Sequence, residues 1–164
     1  MEKKYILDQE TVERKVKRLA HEIAERNYDE QQLFFAGIKG NGTILASILA
    51  KEVMEISNIH VELVEVTIDK RYPVELFLDR EIGFNNQCIL LVDDVSNSGK
   101  TMLYALKPFL NFQPRKIQTL VLVERTHKTF PVQPDYVGLS VATTLEEHIY
   151  VEEAGGVITG AYLV

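Results

Sequence analysis

The sequence predicts an α/β fold: a mainly parallel central sheet with helices on both faces, and a small antiparallel cap or edge beside it. Three observations carry this. Apolar runs of strand length, at 33–38, 89–92 and 117–123, alternate with stretches of helical periodicity, the mark of strand–helix–strand units. Two of these runs end in glycine-bearing loops that open helices, at 39–42 and 95–101. The last quarter of the chain holds only short strand signals around the turn Gly155-Gly156.

Taken in order, Ile6 and Leu7 make a brief apolar start, and Asp8 is placed to cap a helix over 9–27. Val12, Val16, Leu19, Ala20, Ile23 and Ala24 form the stripe it should bury. Arg14, Lys17, Arg18 and His21 fall on the opposite face, which is ordinarily a solvated face and, in a functional reading, an anion or RNA surface. The run 33–38 is a buried strand, Lys39-Gly40-Asn41-Gly42 a loop, and 43–56 a helix. A strand rich in β-branched residues covers 60–69. Lys70-Arg71-Tyr72-Pro73 breaks it, and 74–78 returns as the second strand of a hairpin. Beyond the central stretch come a strand at 117–123 and a charged loop at 124–128. A loop marked by Pro131 and Pro134 precedes Tyr136-Val137-Gly138, and short strands follow near 139–141, 149–151 and 161–164.

The chemistry concentrates in residues 88–110. Ile89-Leu90-Leu91-Val92 reads as a buried strand and is followed by Asp93 and Asp94. The loop Val95-Ser96-Asn97-Ser98-Gly99-Lys100-Thr101 comes next, then a helix with Met102, Leu103, Leu106 and Leu110 at helical spacing. A strand feeding a helix through such a loop aims backbone N–H groups at one point, and the helix start adds positive partial charge. Ser96, Ser98 and Thr101 add hydroxyls, Gly99 admits close backbone approach, and Lys100 adds a cation. This is a phosphate site. Adjacent acids on an extended strand point to opposite faces, so Asp93 and Asp94 make a poor shared-proton dyad. They suit two neighbouring hydroxyls, or one of them helps hold Mg²⁺. A sugar phosphate fits both halves.

Other assignments of this stretch do less well. A P-loop needs a glycine where Asp94 stands. A phospho-receiver domain carries its acid pair near the chain start. The plain alternative is a surface turn with capping residues. The second glycine loop, at 39–42, argues for two anion sites at one sheet edge.

At 164 residues the chain has the length of one domain. A hydrophobic content of 46% supports a real core, and a net charge of −6 argues against wholesale nucleic-acid coating. The single cysteine, Cys88, excludes an intramolecular disulfide framework and sits at a strand start, as a core residue would. No apolar run is long enough to span a membrane. Met1-Glu2-Lys3-Lys4 is not followed by an apolar signal region. The expectation is a soluble, cytoplasmic protein.

Residues 91–101 resemble the phosphoribosyl-pyrophosphate signature of type I phosphoribosyltransferases: a hydrophobic run, two acids, then a small-residue loop. The resemblance implies that fold, with a small, reduced hood. It implies that Asp93 and Asp94 bind the ribose hydroxyls and that Ser96 to Thr101 wrap the 5-phosphate. Lys39 to Gly42 would form the pyrophosphate loop, with Arg71 as a further pyrophosphate contact. Mg²⁺ would be held mainly by substrate. Residues 6–8, 18–23, 25–27, 37–39 and Gly42, then Leu122, Val123, Arg125, His127, Pro131 and residues 135–138, extend the likeness to the PyrR family. Those proteins are uracil phosphoribosyltransferases that also regulate pyrimidine operons by binding messenger RNA.

Membership there implies transfer of ribosyl phosphate to a nitrogen base, uracil foremost. The base region would be Val141, Ala142, Thr143, Thr144 and Arg125. The alternative is a nucleotide-sensing RNA regulator that uses Arg14, Lys17, Arg18, His21 and Arg26. It also implies a homodimer or larger homo-oligomer. Three departures stand out: a shorter segment after Leu78, Leu145 where the family carries a cation, and Glu124 where it carries Asp. They leave phosphoribosyl binding in place and predict weak uracil turnover and weak RNA binding.

Overall fold

The structure is a computed structural model that describes residues 2–164. The chain runs β1 (Lys4–Asp8), α1 (Gln9–Arg26), β2 (Gln32–Ile38), α2 (Asn41–Ile56), β3 (His60–Ile68) and β4 (Leu76–Leu78). It continues through β5 (Cys88–Ser96), α3 (Lys100–Ala105), a 3-10 turn (Lys107–Asn111), β6 (Lys116–Arg125), β7 (Tyr136–Val141), β8 (Ile149–Ala154) and β9 (Val157–Leu163). Six strands form the main sheet in the order β4-β3-β2-β5-β6-β7, all parallel except β4. The remaining three make a second, antiparallel sheet, β1-β9-β8, the small cap read from the sequence.

Alternation decides which core each residue enters. Leu33 and Phe35 of β2, with Leu90 and Val92 of β5, face α1, α2 and the cap. Phe34, Ala36, Ile89 and Leu91 face the other way, toward α3 and the 3-10 turn. There Phe84 meets Phe34, Phe109 and Phe112 edge-on, at 5.4, 5.0 and 5.7 Å. α1 starts where expected: Thr11 N–H donates to Asp8 Oδ1 at 2.8 Å. Its stripe Val12, Val16, Leu19, Ala20 and Ile23 is buried.

Several boundaries move. β5 runs on through both acids to Ser96, in register with β6 through the pairs Asp93↔Val121 and Ser96↔Glu124. Val95 and Ser96 therefore belong to the strand, and Lys100 and Thr101 to α3. The helix after the loop lasts six residues, because Pro108 lacks the N–H that a continuing α-helix needs. Its core positions are Met102, Ala105 and Phe109, whereas Leu110 is 66% exposed. β6 extends to Arg125 and takes Glu124 out of the expected loop, β7 is continuous from Tyr136, and β4 keeps only three residues.

Buried Asn27 closes α1 onto the sheet. Its Nδ2 donates to Ile23 O at 2.8 Å, to Gln118 Oε1 at 3.1 Å and to the Tyr136 hydroxyl at 3.2 Å. Asn27→Leu removes all three donations, although Ile23 O keeps the backbone N–H of residue 27 and Gln118 Oε1 keeps the Tyr136 hydroxyl, so the expected loss is about 1 kcal/mol. A lowered urea midpoint checks this; an unchanged midpoint contradicts it.

Candidate active site

The carboxyl ends of β2, β3 and β5 lie side by side, as in open α/β sheets that bind ligands there. Gly42, in the first turn of α2, brings that helix hard against β5. A Cβ on it would sit 2.9 Å from Val92 O and 3.2 Å from Asp93 Oδ1. The glycine loop and the acid pair thereby share one site.

Asp93 and Asp94 point apart, as adjacent strand residues must. Asp93 is 2% exposed; its Oδ1 accepts from Asp94 N–H at 2.9 Å and its Oδ2 lies 3.5 Å from Lys70 Nζ. Burial, then the neighbouring Asp94 charge, pushes the Asp93 carboxyl well above the usual carboxylate range, with Lys70 opposing. Asp94 accepts from Val95 N–H at 2.9 Å and from Asn41 Nδ2 at 3.0 Å. Asn41 Nδ2 also reaches Val151 O at 3.1 Å, so the same side chain ties the acid pair to the cap sheet.

Beyond the acids the chain turns tightly. Gly99 adopts φ +84° and caps α3. Ser98 Oγ accepts from Lys100 N–H at 3.2 Å, while Ser98 O accepts from Thr129 and Phe130 N–H at 3.1 and 3.0 Å. This holds the loop from behind. Ser96 Oγ and Asn97 Oδ1 are buried without a partner. Asp94 and Val95 to Gly99 line a cavity of about 230 Å³ that also takes in Asn41, Lys70, Lys100, Thr101, Met102 and Ile149 to Val151. Unused hydroxyl and amide groups, backbone N–H groups and two cations converge there, next to carboxylates. That set can hold a phosphate at one end and hydroxyls or a hard cation at the other.

Not every residue singled out from the sequence reaches this cavity. Lys39 and Gly40 flank it at the start of α2, with the Lys39 N–H on Val66 O at 2.9 Å. Arg71 is exposed and absent from the lining, and its N–H donates to Asp69 Oδ1 at 2.9 Å. Val141, Ala142, Thr143, Thr144 and Arg125 sit apart from it, at the ends of β6 and β7. There Arg125 donates to Glu147 O, and Thr144 N–H to Glu147 Oε2 at 2.8 Å. Arg125 Nε and Thr143 Oγ1 stay buried and unpartnered. Glu124 is buried on Lys128 Nζ at 2.6 Å and Ser140 Oγ at 2.7 Å.

The basic face of α1 is partly committed. Arg18 donates to Val137 O and Gly138 O at 3.0 and 3.1 Å, and Lys15 to Gly138 O at 3.0 Å. Arg26 donates to Asp135 O at 3.1 Å and lies over the Tyr136 ring. Arg14 pairs with Glu10 at 3.4 Å, while Lys17 and His21 are exposed.

Lys70 and the β8 residues Ile149, Tyr150 and Val151 belong to the cavity without having been singled out. For Lys70 a signal existed: a cation just past the carboxyl end of a strand bordering β2. For β8 none did, because the cap reaches the site through a long-range fold-back.

Residues 3–153 match the family described as phosphoribosyl transferase domain. The bifunctional protein PyrR of Limosilactobacillus reuteri subsp. reuteri (strain JCM 1112) is 33% identical, over 92% of this chain and 93% of that protein. The bifunctional protein pyrR of Enterococcus faecalis (strain ATCC 47077 / OG1RF) is 34% identical, over 93% and 90%. Among solved structures, the hypoxanthine phosphoribosyltransferase of Trypanosoma cruzi superposes with a TM-score of 0.74 at 16% identity, over 85% of this chain and 82% of that one. A hypoxanthine-guanine phosphoribosyltransferase from Bacillus anthracis gives 0.73 at 18%, over 86% and 84%. At such identities the likeness is one of fold.

Proposed function

The chain belongs to the phosphoribosyl transferase family, and from that premise we propose that it binds phosphoribosyl pyrophosphate with Mg²⁺. It then transfers the ribosyl phosphate to a nitrogen base, uracil foremost, and releases pyrophosphate. The observation that carries this is one cavity that Asp94 shares with a loop bearing unpartnered Ser96 and Asn97, with Asp93 buried next to Asp94. In the proposed step a base nitrogen bonds to the anomeric carbon as pyrophosphate departs with the electrons of the broken bond, and the proton of that nitrogen leaves to solvent or to the departing pyrophosphate. The transition state has cationic sugar character.

The chain's own part is positioning and electrostatics. The loop N–H groups, Ser96 and Ser98 hold the 5-phosphate; Asp93 and Asp94 orient the ribose and favour positive charge near it. The two carboxylates fit a magnesium ion, which binds through one or two such groups and otherwise through substrate oxygens and water. A magnesium ion held there would neutralise charge on the pyrophosphate leaving group. Ile149 to Val151 form the wall from the cap side.

Residues 79–87 do not line the cavity, and Phe84 among them is fully buried in the aromatic cluster with Phe34, Phe109 and Phe112. Water therefore has access to the reacting carbon, and turnover falls below the ordinary ~10 s⁻¹. Catalysis is placed ahead of RNA regulation because Arg18 and Arg26 already serve the sheet. The test is pyrophosphate release from phosphoribosyl pyrophosphate and Mg²⁺ against a panel of free bases. Uracil-dependent release is expected; release with no base in the panel overturns the proposal.

A further inference from the structure

Asp93 and Asp94 place two carboxylates, 2% and 8% exposed, on neighbouring residues. Among the described residues, the only cation within ion-pair distance of either is Lys70, with Nζ 3.5 Å from Asp93 Oδ2. Asp94 takes its contacts from neutral donors, Asn41 and the Val95 N–H. A buried carboxylate without a counter-charge is costly, so the ammonium group has a clear electrostatic reason to be there.

Lys70 is also mounted to leave. Its side chain is 52% exposed, and it sits between the end of β3 and the three-residue β4. The turn that carries it is fixed at its base rather than at its tip. The Asp69 side chain accepts from Arg71 N–H at 2.9 Å, and Asp69 O from Tyr72 N–H at 3.1 Å. Lys70 lines the cavity, and among the described residues Asp93 is the acid its ammonium group pairs with. Ser96 Oγ, 4% exposed and unpartnered, lines the same cavity, so the space is built to receive a polar ligand.

We propose that Lys70 is a positioning residue that stands in for the divalent cation. It neutralises Asp93 while the site is empty and is displaced from that carboxylate when metal and phosphorylated sugar enter. This rests on the phosphoribosyl transfer proposed above. Two cations cannot share one carboxylate oxygen at full strength, so Lys70 opposes metal binding in the free protein. By linkage, metal loosens Lys70 to the same degree. The device keeps a metal from settling on the acids without its substrate, because only the combined ligand brings enough phosphate contacts to displace the lysine.

The experiment measures Mn²⁺ binding to the protein alone by the loss of the free-ion paramagnetic resonance signal. It compares wild type, Lys70→Met and Lys70→Arg. Lys70→Met keeps the stem and removes the charge; it is expected to bind Mn²⁺ roughly tenfold more tightly, within the usual range of site coupling. Lys70→Arg is expected to stay near wild type. A purely structural role would leave metal affinity unchanged while shifting thermal stability, which is recorded alongside. Equal or weaker Mn²⁺ binding by Lys70→Met overturns the proposal, as does no measurable binding by any of the three. Calorimetry with phosphoribosyl pyrophosphate on wild type is the separate arm. Its failure removes the transfer reaction, while the Mn²⁺ comparison still decides whether Lys70 competes with a cation.

Discussion

Asp93→Asn combined with Asp94→Asn abolishes binding of phosphoribosyl pyrophosphate and leaves the protein more stable at neutral pH than the wild type. The loss of binding follows from position. Asp94 is the acid that lines the cavity, and Asp93 is buried next to it at the end of β5. The gain follows from burial. Asp93 has its carboxyl held well above the ordinary value of 3.8, chiefly by desolvation. The folded chain therefore binds that proton more readily than the unfolded chain does. Its contribution to stability is full below 3.8 and is lost as pH rises through the raised folded value. At neutral pH the ionised group opposes folding, and an amide removes the opposition while still accepting from the Asp94 N–H. A gain of about 1–2 kcal/mol is expected at neutral pH, the usual size when a functional site is relieved of strain, shrinking toward zero in acid. Calorimetric titration and urea midpoints across pH check both halves. Retained affinity would sink the site assignment; a destabilised variant at pH 7 would sink the electrostatic argument.

Gly99→Val disables the phosphate end. Position 99 has φ +84°, a conformation a β-branched residue resists. A Cβ there also meets Phe130 O at 3.2 Å and Lys128 Cδ at 3.6 Å. The loop cannot step aside easily, because Thr129 and Phe130 hold Ser98 O from behind. The N–H groups that face the cavity must therefore turn. Losing one or two charge-assisted hydrogen bonds weakens a nucleoside 5′-monophosphate by about 10- to 100-fold. The corresponding nucleoside, which lacks the phosphate, binds weakly to both proteins. Equal nucleotide affinity in the two proteins would show that the loop does not hold the phosphate.

The parts of this molecule legible in the sequence are those governed by local rules. Alternating apolar runs located the parallel strands, and Asp8 announced the start of α1. Residues 94–101, across the end of β5 and the turn after it, line one cavity. The misplaced boundaries have a common physical origin. Asp93, Asp94 and Glu124 read as strand ends because they are charged, yet the ladder continues through all three. A charged residue terminates a strand only if it must reach water; these are buried and satisfied by neighbours. Leu110 misled in the opposite sense, as Pro108 changes the helical phase and turns it outward. What no local pattern carries is the fold-back of β8 to the cavity and the commitment of Arg18 and Arg26 to carbonyls more than a hundred residues away.

Those last contacts have a consequence for the protein in a crowded solution. β7 is the outermost strand of the main sheet, and an outermost strand normally offers unpaired peptide groups as a template for another chain. Here Lys15 and Arg18 cover Gly138 O, with Arg26 on Asp135 O at the strand's entry. An incoming strand would have to evict cations to pair, and it would meet a positive rim when it arrived. The far side of the sheet is closed differently, by β4, which is too short to nucleate a ladder. The sheet is thus terminated against growth at both ends, by charge at one and by brevity at the other. The basic residues of α1 act there as guards against self-templated association.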